Sequence, residues 1–140
     1  MNFLSPSKSY PASRLITLPQ IRDARGSLCV AECEKHVPFV VRRCFWVFGV
    51  PAGQERGGHS HKICHQFLIC VHGACKTSAD NGQVREEFLL NQPDVGLYIP
   101  PLVWDTQVDF SADAVLLVLA SHAYNSDDYI RDYQQFLAQI

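Results

Sequence analysis

Short apolar runs broken by turn signals dominate this chain. SLCVAEC (27–33), PFVVRRCFWVFGV (38–50), ICHQFLICVHG (63–73), ACKTSA (74–79), VREEFLL (84–90), VGLYIPP (95–101) and AVLLVLA (114–120) are rich in β-branched and aromatic residues. Runs of this length and spacing predict strands of an antiparallel sandwich or barrel. Asp80-Asn81-Gly82 lies between two of them and predicts a hairpin, because Asn-Gly tolerates the positive φ of tight turns. CFWVFGV and AVLLVLA lack clean alternation, which predicts that both their faces are covered, by a closed barrel or by a dimer partner. Only the tail, DDYIRDYQQFLAQI (127–140), has helical spacing. It places Tyr129, Ile130, Tyr133, Phe136, Leu137 and Ile140 on one stripe, read as a packing face.

The chain has 140 residues, enough to bury a core and about the size of one domain. No linker or repeat divides it, so residues 1–140 are read as a single domain. Apolar residues make up 47% and charged residues 19%, a globular balance. The net charge of −2 disfavours nucleic-acid binding, which needs a basic surface. It leaves room for a local basic pocket around one small phosphorylated molecule. MNFLSPSKSYPASRL lacks a signal-peptide core, and no run of roughly 18 apolar residues predicts a membrane span. The expected location is the cytoplasm. The six cysteines are then reduced, and most are expected to be small buried hydrophobes.

Candidate chemistry gathers in ERGGHSHKICHQ (55–66). His59 and His61 are two apart, so on an extended backbone they share a face, roughly 7 Å apart. Three readings compete. The first is a metal half-site. His59, His61, Gln66 and Gly73 follow the spacing of the first cupin motif, but Gln66 stands where a carboxylate ligand is usual, and an amide is a poorer ligand. The turn IPPLVWD (99–105) brings Trp104 and Asp105 where a further histidine is usual. The second reading is structural. The third is acid–base chemistry, since imidazole titrates near neutral pH. Arg56 offers a planar fork for phosphate, and Gly57 and Gly58 permit close backbone approach.

The ordered series of motifs resembles the nucleotide-sugar 3,4-ketoisomerases, cupin enzymes acting on dTDP-4-oxo-6-deoxyglucose. The series is RGSL (25–28), PFVVRRCFWVF (38–48), ERGGHSHKICHQFLICVHG (55–73), DNG (80–82), GLYIPPLVWD (96–105), FSADAVLLVLAS (110–121) and DDYIRDYQQFL (127–137). The resemblance implies an all-β, jelly-roll-type cupin barrel with a short C-terminal helix. It implies a homodimer, often with exchanged N-terminal strands, and no cofactor or metal. It further implies conversion of a 4-oxo sugar nucleotide to its 3-oxo isomer through an enediol. His59 falls on the principal base and His61 on a second acid–base partner. Arg25, Arg43 and Arg56 match arginines of the family and are candidates for the pyrophosphate. Gln66 and Trp104 are expected to line the barrel interior against the sugar or base, and Lys62 to point away.

Two departures stand out. Ser60 replaces a common alanine, and Cys44, Phe45 and Trp46 stand where the family often has tyrosine; Tyr98 is a possible substitute that the sequence does not place. A sugar-nucleotide 3,5-epimerase, a non-catalytic sugar-nucleotide-binding cupin and a metal-dependent oxygenase are the rival readings. The configuration at C4 of the product and the nucleotide base stay open.

Overall fold

The computed structural model describes residues 10–140. The reading of the first nine residues as leader-free lies outside them. Twelve strands form: β1 (Arg14–Thr17), β2 (Gln20–Asp23), β3 (Gly26–Cys29), β4 (Arg43–Phe48), β5 (Arg56–His61), β6 (Gln66–His72), β7 (Cys75–Asp80), β8 (Arg85–Leu90), β9 (Val95–Ile99), β10 (Trp104–Val108), β11 (Val115–Ala120) and β12 (Tyr129–Ile130). A 3₁₀ turn (Ser126–Asp128) precedes β12, and helix α1 (Tyr133–Ala138) follows it.

Ten strands build two antiparallel sheets, in the orders β1-β9-β6-β11-β4 and β12-β5-β10-β7-β8. Within them, β4-β11-β6-β9 faces β5-β10-β7-β8, the strand order of a jelly roll. The all-β fold with a short C-terminal helix is the one expected. Among the described residues, β2 and β3 pair only with each other, as a separate hairpin.

The core between the sheets contains Leu68, Cys70, Cys75, Leu90, Leu97, Ile99, Leu116 and Val118. Burying each of the larger aliphatic side chains contributes about 1.5–3 kcal/mol. A second cluster covers the other face of the first sheet, where Val37 and Phe39 pack with Phe67, Ile69 and Tyr98. This explains the unalternating AVLLVLA run. Leu116 and Val118 point between the sheets, while Leu117 and Leu119 pack against the second cluster. CFWVFGV is different. Phe45 and Val47 pack on the core, but Trp46 and Phe48 are 60% and 66% exposed on an edge strand.

The Asp80-Asn81-Gly82 hairpin forms as expected between β7 and β8. The Asn81 carboxamide oxygen accepts from the backbone N–H groups of Gln83 and Val84, and Gly82 has φ +91°. The tail departs from its expected helix. Tyr129 and Ile130 pair with His61 and Ser60 of β5, and α1 starts only at Tyr133, capped by Asp132 accepting from the Gln135 N–H. An unpaired edge on β5 competes successfully with local helical spacing here. Phe136 remains the packing residue of that stripe, fully buried against Trp104. Among the cysteines, Cys64, Cys70 and Cys75 are buried, whereas Cys33 and Cys44 are exposed.

Candidate active site

β5 carries the histidines, and its geometry depends on two glycines. Gly57 and Gly58 have φ of +76° and +75°, in the left-handed region that other residues avoid. The register against β10 runs Asp105 to His59 and then Thr106 to Gly57, so Gly58 is the extra residue of a bulge. A Cβ at Gly57 would lie 2.7 Å from Gln107 Oε1 and 2.9 Å from the Asp105 carbonyl oxygen.

Beside this bulge lies a cavity of about 350 Å³, within the usual range for small-molecule sites. Phe45, Val47, Leu68 and Leu116 form its apolar side. His59, Gln66, Asp105, Gln107, Tyr129 and Arg131 form its polar side, with Glu55 and Arg56 beside them. A larger depression, about 460 Å³, is lined by Pro100, Leu102, Val103 and Ile140 and has no histidine, arginine or lysine among its described lining residues. The larger depression does carry Glu86, but imidazole chemistry belongs to the first.

His59 and His61 do come together, with ring centroids 5.0 Å apart, but in different layers. His59 lines the cavity and its side chain is 18% exposed. Burial pushes its imidazole down to about 4, aided by His61 and Arg131. Burial therefore favours the neutral ring, the form that can act as a base. His61 lies behind it, 4% exposed, and is not among the lining residues. Its Nδ1 lies 2.8 Å from Asp128 Oδ2, and its Nε2 meets the Gln66 Nε2 amide. Burial lowers the His61 pKa, with Asp128 opposing. A neutral ring donating from Nδ1 to Asp128 and accepting at Nε2 from Gln66 satisfies every partner. This arrangement orients the ring and leaves neither nitrogen free for substrate. In this arrangement both His61 nitrogens already have protein partners, unlike the second acid–base partner expected from the sequence.

Asp105 lies opposite His59, its Oδ1 3.9 Å from His59 Nε2 and 3.3 Å from the Gln107 amide nitrogen. Burial pushes its carboxyl up to about 7. The two groups do not form an ion pair, because burial moves each toward its neutral form.

Gln66 and Arg56 line the cavity as expected. Arg43 stacks over Phe45 and Tyr124, at 5.5 and 5.6 Å, with its buried Nε unpartnered. Lys62 is exposed, as its parity predicted. Trp104 is not in the cavity. β10 turns Asp105 and Gln107 inward, so alternation sends Trp104 to the outer face, where α1 covers it through Tyr133 and Phe136. Arg25 is also elsewhere. It sits at the turn of the β2–β3 hairpin, highly exposed and paired with Asp23 at 2.6 Å. Tyr98 is buried with His65, its hydroxyl 2.7 Å from His65 Nδ1, and does not replace a cavity tyrosine.

The tail supplies what the sequence reading missed. Tyr129 lines the cavity, its ring 5.0 Å from His59 and 4.4 Å from His61, and Arg131 stacks on it at 4.5 Å. Asp128 holds His61 and also accepts from the Ile63 N–H at 2.7 Å. The signal was present in DDYIRDY, but helical periodicity obscured it. Donor atoms of His61, Cys64 and Asp128 lie within 4.8 Å of one another, the one such metal-capable group among the described residues. Two of its members are already joined by the His61–Asp128 hydrogen bond.

The chain is similar to known proteins in both sequence and fold. A curated relative, TDP-4-oxo-6-deoxy-alpha-D-glucose-3,4-oxoisomerase of Aneurinibacillus thermoaerophilus, is 41% identical over 128 residues, covering 91% of this chain and 92% of that protein. A solved variant of the 3,4-ketoisomerase QdtA from Thermoanaerobacterium thermosaccharolyticum, in complex with TDP-4-keto-6-deoxyglucose, is 38% identical with TM-score 0.89, covering 94% of this chain and 95% of that one. The rmlC epimerase of Mycobacterium tuberculosis, at 18% identity and TM-score 0.74 over 85% of this chain and 68% of that one, shares the fold. The FdtA family model, described as WxcM-like, C-terminal, matches residues 11–140, and the chain belongs to that family.

Proposed function

We infer that this chain is a 3,4-ketoisomerase that converts dTDP-4-oxo-6-deoxyglucose to a dTDP-3-oxo-6-deoxyhexose. The observation that carries the reading is the neutral His59 imidazole facing a cavity of small-molecule size. The reaction needs a proton taken from C3, where the neighbouring carbonyl acidifies it, and a proton returned at C4. A base at His59 contributes about 10²–10⁴-fold. Gln66 and Gln107 offer hydrogen bonds to sugar oxygens, and Tyr129 offers a phenol beside His59. Arg56 and Arg131 flank the cavity and suit a pyrophosphate.

The product serves the making of 3-amino-3,6-dideoxy sugars for surface glycans, and work on a nucleotide sugar fits the cytoplasm. Among the described residues, no helix is long and apolar enough to cross a membrane. A homodimer fits the exposed Trp46 and Phe48 of β4 and the exposed Ile21 and Leu28 of the unattached hairpin. Exchange of N-terminal strands in that dimer would move Arg25 to the partner copy. Light scattering after size exclusion tests the mass, and a monomer at micromolar concentration removes the dimer.

The deciding experiment is incubation with dTDP-4-oxo-6-deoxyglucose in D₂O, followed by NMR. A 3-oxo sugar labelled at C4 supports isomerisation. Labels at C3 and C5 in a sugar that stays 4-oxo would instead indicate the epimerase reading, and binding without any product would indicate a non-catalytic cupin.

A further inference from the structure

Asp105 is a buried titratable group in the cavity wall to which the reading above gives no task. It stands directly across from His59 in the register of β5 and β10, with Oδ1 3.9 Å from His59 Nε2. Among the described residues its one side-chain hydrogen bond is from Gln107, at 3.3 Å. His59 and the Gly57 backbone face it from β5, and Gln107 from its own strand. Neither Arg56 nor Arg131, the arginines that line the cavity, is among its hydrogen-bond or ion-pair partners in the described residues. No cation therefore balances a charge on this carboxyl, whose side chain is 2% exposed. Burial raises it to about 7 while lowering His59 to about 4. Burial thus favours the protonated form of the carboxyl and the neutral form of the imidazole beside it. Two titratable groups driven apart in this way divide into an acid and a base.

We propose that Asp105 is the acid that protonates C4 of the enediol, from the same wall of the cavity from which His59 takes the C3 proton. The inference rests on the ketoisomerase reading. The protons and electrons balance without any oxidant. His59 Nε2 takes the C3 proton, and the C–H pair becomes the C3–C4 double bond, with charge on O4. A proton moves from O3 to O4. The O3 pair then forms the new carbonyl as C4 takes the Asp105 proton. His59 now holds one proton more and Asp105 one fewer, and transfer across the gap between them restores both.

The geometry has a stereochemical consequence. In the gluco chair the hydrogens on C3 and C4 lie on opposite faces of the ring. A proton delivered to C4 from the face that lost the C3 proton leaves the C4 hydroxyl axial. The product then has the galacto configuration.

The test uses the full chain, dTDP-4-oxo-6-deoxyglucose in D₂O and NMR at early times. Wild type is expected to give a 3-oxo sugar of galacto configuration; a gluco 3-oxo product overturns the same-wall assignment. Asp105→Asn is expected to keep washing deuterium into C3 of recovered substrate while 3-oxo product falls about 10²–10⁴-fold. Undiminished product from this variant overturns the role, as does loss of C3 exchange in a variant that is folded by circular dichroism. If the variant does not fold, the wild-type configuration at C4 decides alone. If wild type makes no 3-oxo sugar, the ketoisomerase reading itself fails and the assignment falls with it.

Discussion

His61 and Asp128 lie 67 residues apart in the chain and 2.8 Å apart in the structure, Nδ1 to Oδ2, with both side chains buried. The carboxylate fixes the imidazole's tautomer and turns its Nε2 toward Gln66. His59 packs edge-on against this fixed ring. Asp128→Asn can accept the same hydrogen bond but does not hold one tautomer. It is expected to lower kcat on the order of 10²-fold with a smaller change in KM. Steady-state kinetics checks this, and an unchanged kcat would remove the orienting role.

His59→Asn keeps a hydrogen-bonding side chain but no base of suitable pKa. Turnover is expected to fall by at least about 10²-fold. Binding of dTDP, measured by calorimetry, is expected to stay within a few-fold of wild type. Wild-type turnover in this variant would sink the assignment of the base.

The proposed acid and base set opposite pH limits. His59 works when unprotonated, so kcat/KM is expected to fall as pH drops toward about 4. Asp105 works when protonated, so kcat/KM is expected to fall as pH rises above about 7. Asp105→Asn should lose the alkaline limb. Stability follows the same group. Its folded pKa lies above the ordinary carboxyl value of 3.8, so the contribution is full below that value and is lost as pH rises through about 7. Thermal melts across pH 4–8 should therefore show wild type losing stability relative to Asp105→Asn.

Gly57 and Gly58 have nearly the same φ but different surroundings. A methyl group at Gly58 meets nothing within 4 Å, so Gly58→Ala is expected to cost about 1–2 kcal/mol from backbone strain alone. At Gly57 the same group collides with Gln107 and the Asp105 backbone, so the cost should exceed that of Gly58→Ala and activity should fall with it. Urea denaturation of the two variants measures the difference.

Phe136 is fully buried against Trp104 and anchors the tail that carries Asp128, Tyr129 and Arg131. Phe136→Ala is expected to destabilise the protein by about 3–5 kcal/mol. It should also lower activity more than a core truncation far from the site, such as Leu90→Ala. Parallel melts and assays would compare the two.

The strand pattern was legible because β6, β9 and β11 are continuous apolar runs with turn signals at their ends. β5 was not recognisable as a strand, since RGGHSH has no apolar period; its chemistry was, since His59 and Arg56 recur in the motif series. Trp104 was misplaced for a physical reason. The resemblance placed Trp104 inside, but β10 turns Asp105 into the cavity and alternation leaves Trp104 for α1 to cover. Tyr129 and Arg131 were missed because a two-residue strand leaves no periodicity to read, and its partner β5 is distant in sequence.

The pairing of β12 with β5 sets an order of events during synthesis. β5 and its histidines leave the ribosome early, yet the carboxylate that fixes His61 follows 67 residues later. A nascent chain can fold much of both sheets while His61 still has no fixed tautomer and the cavity lacks Tyr129 and Arg131. Competence as a catalyst thus arrives with the tail, and a chain released before it would be folded in large part and silent.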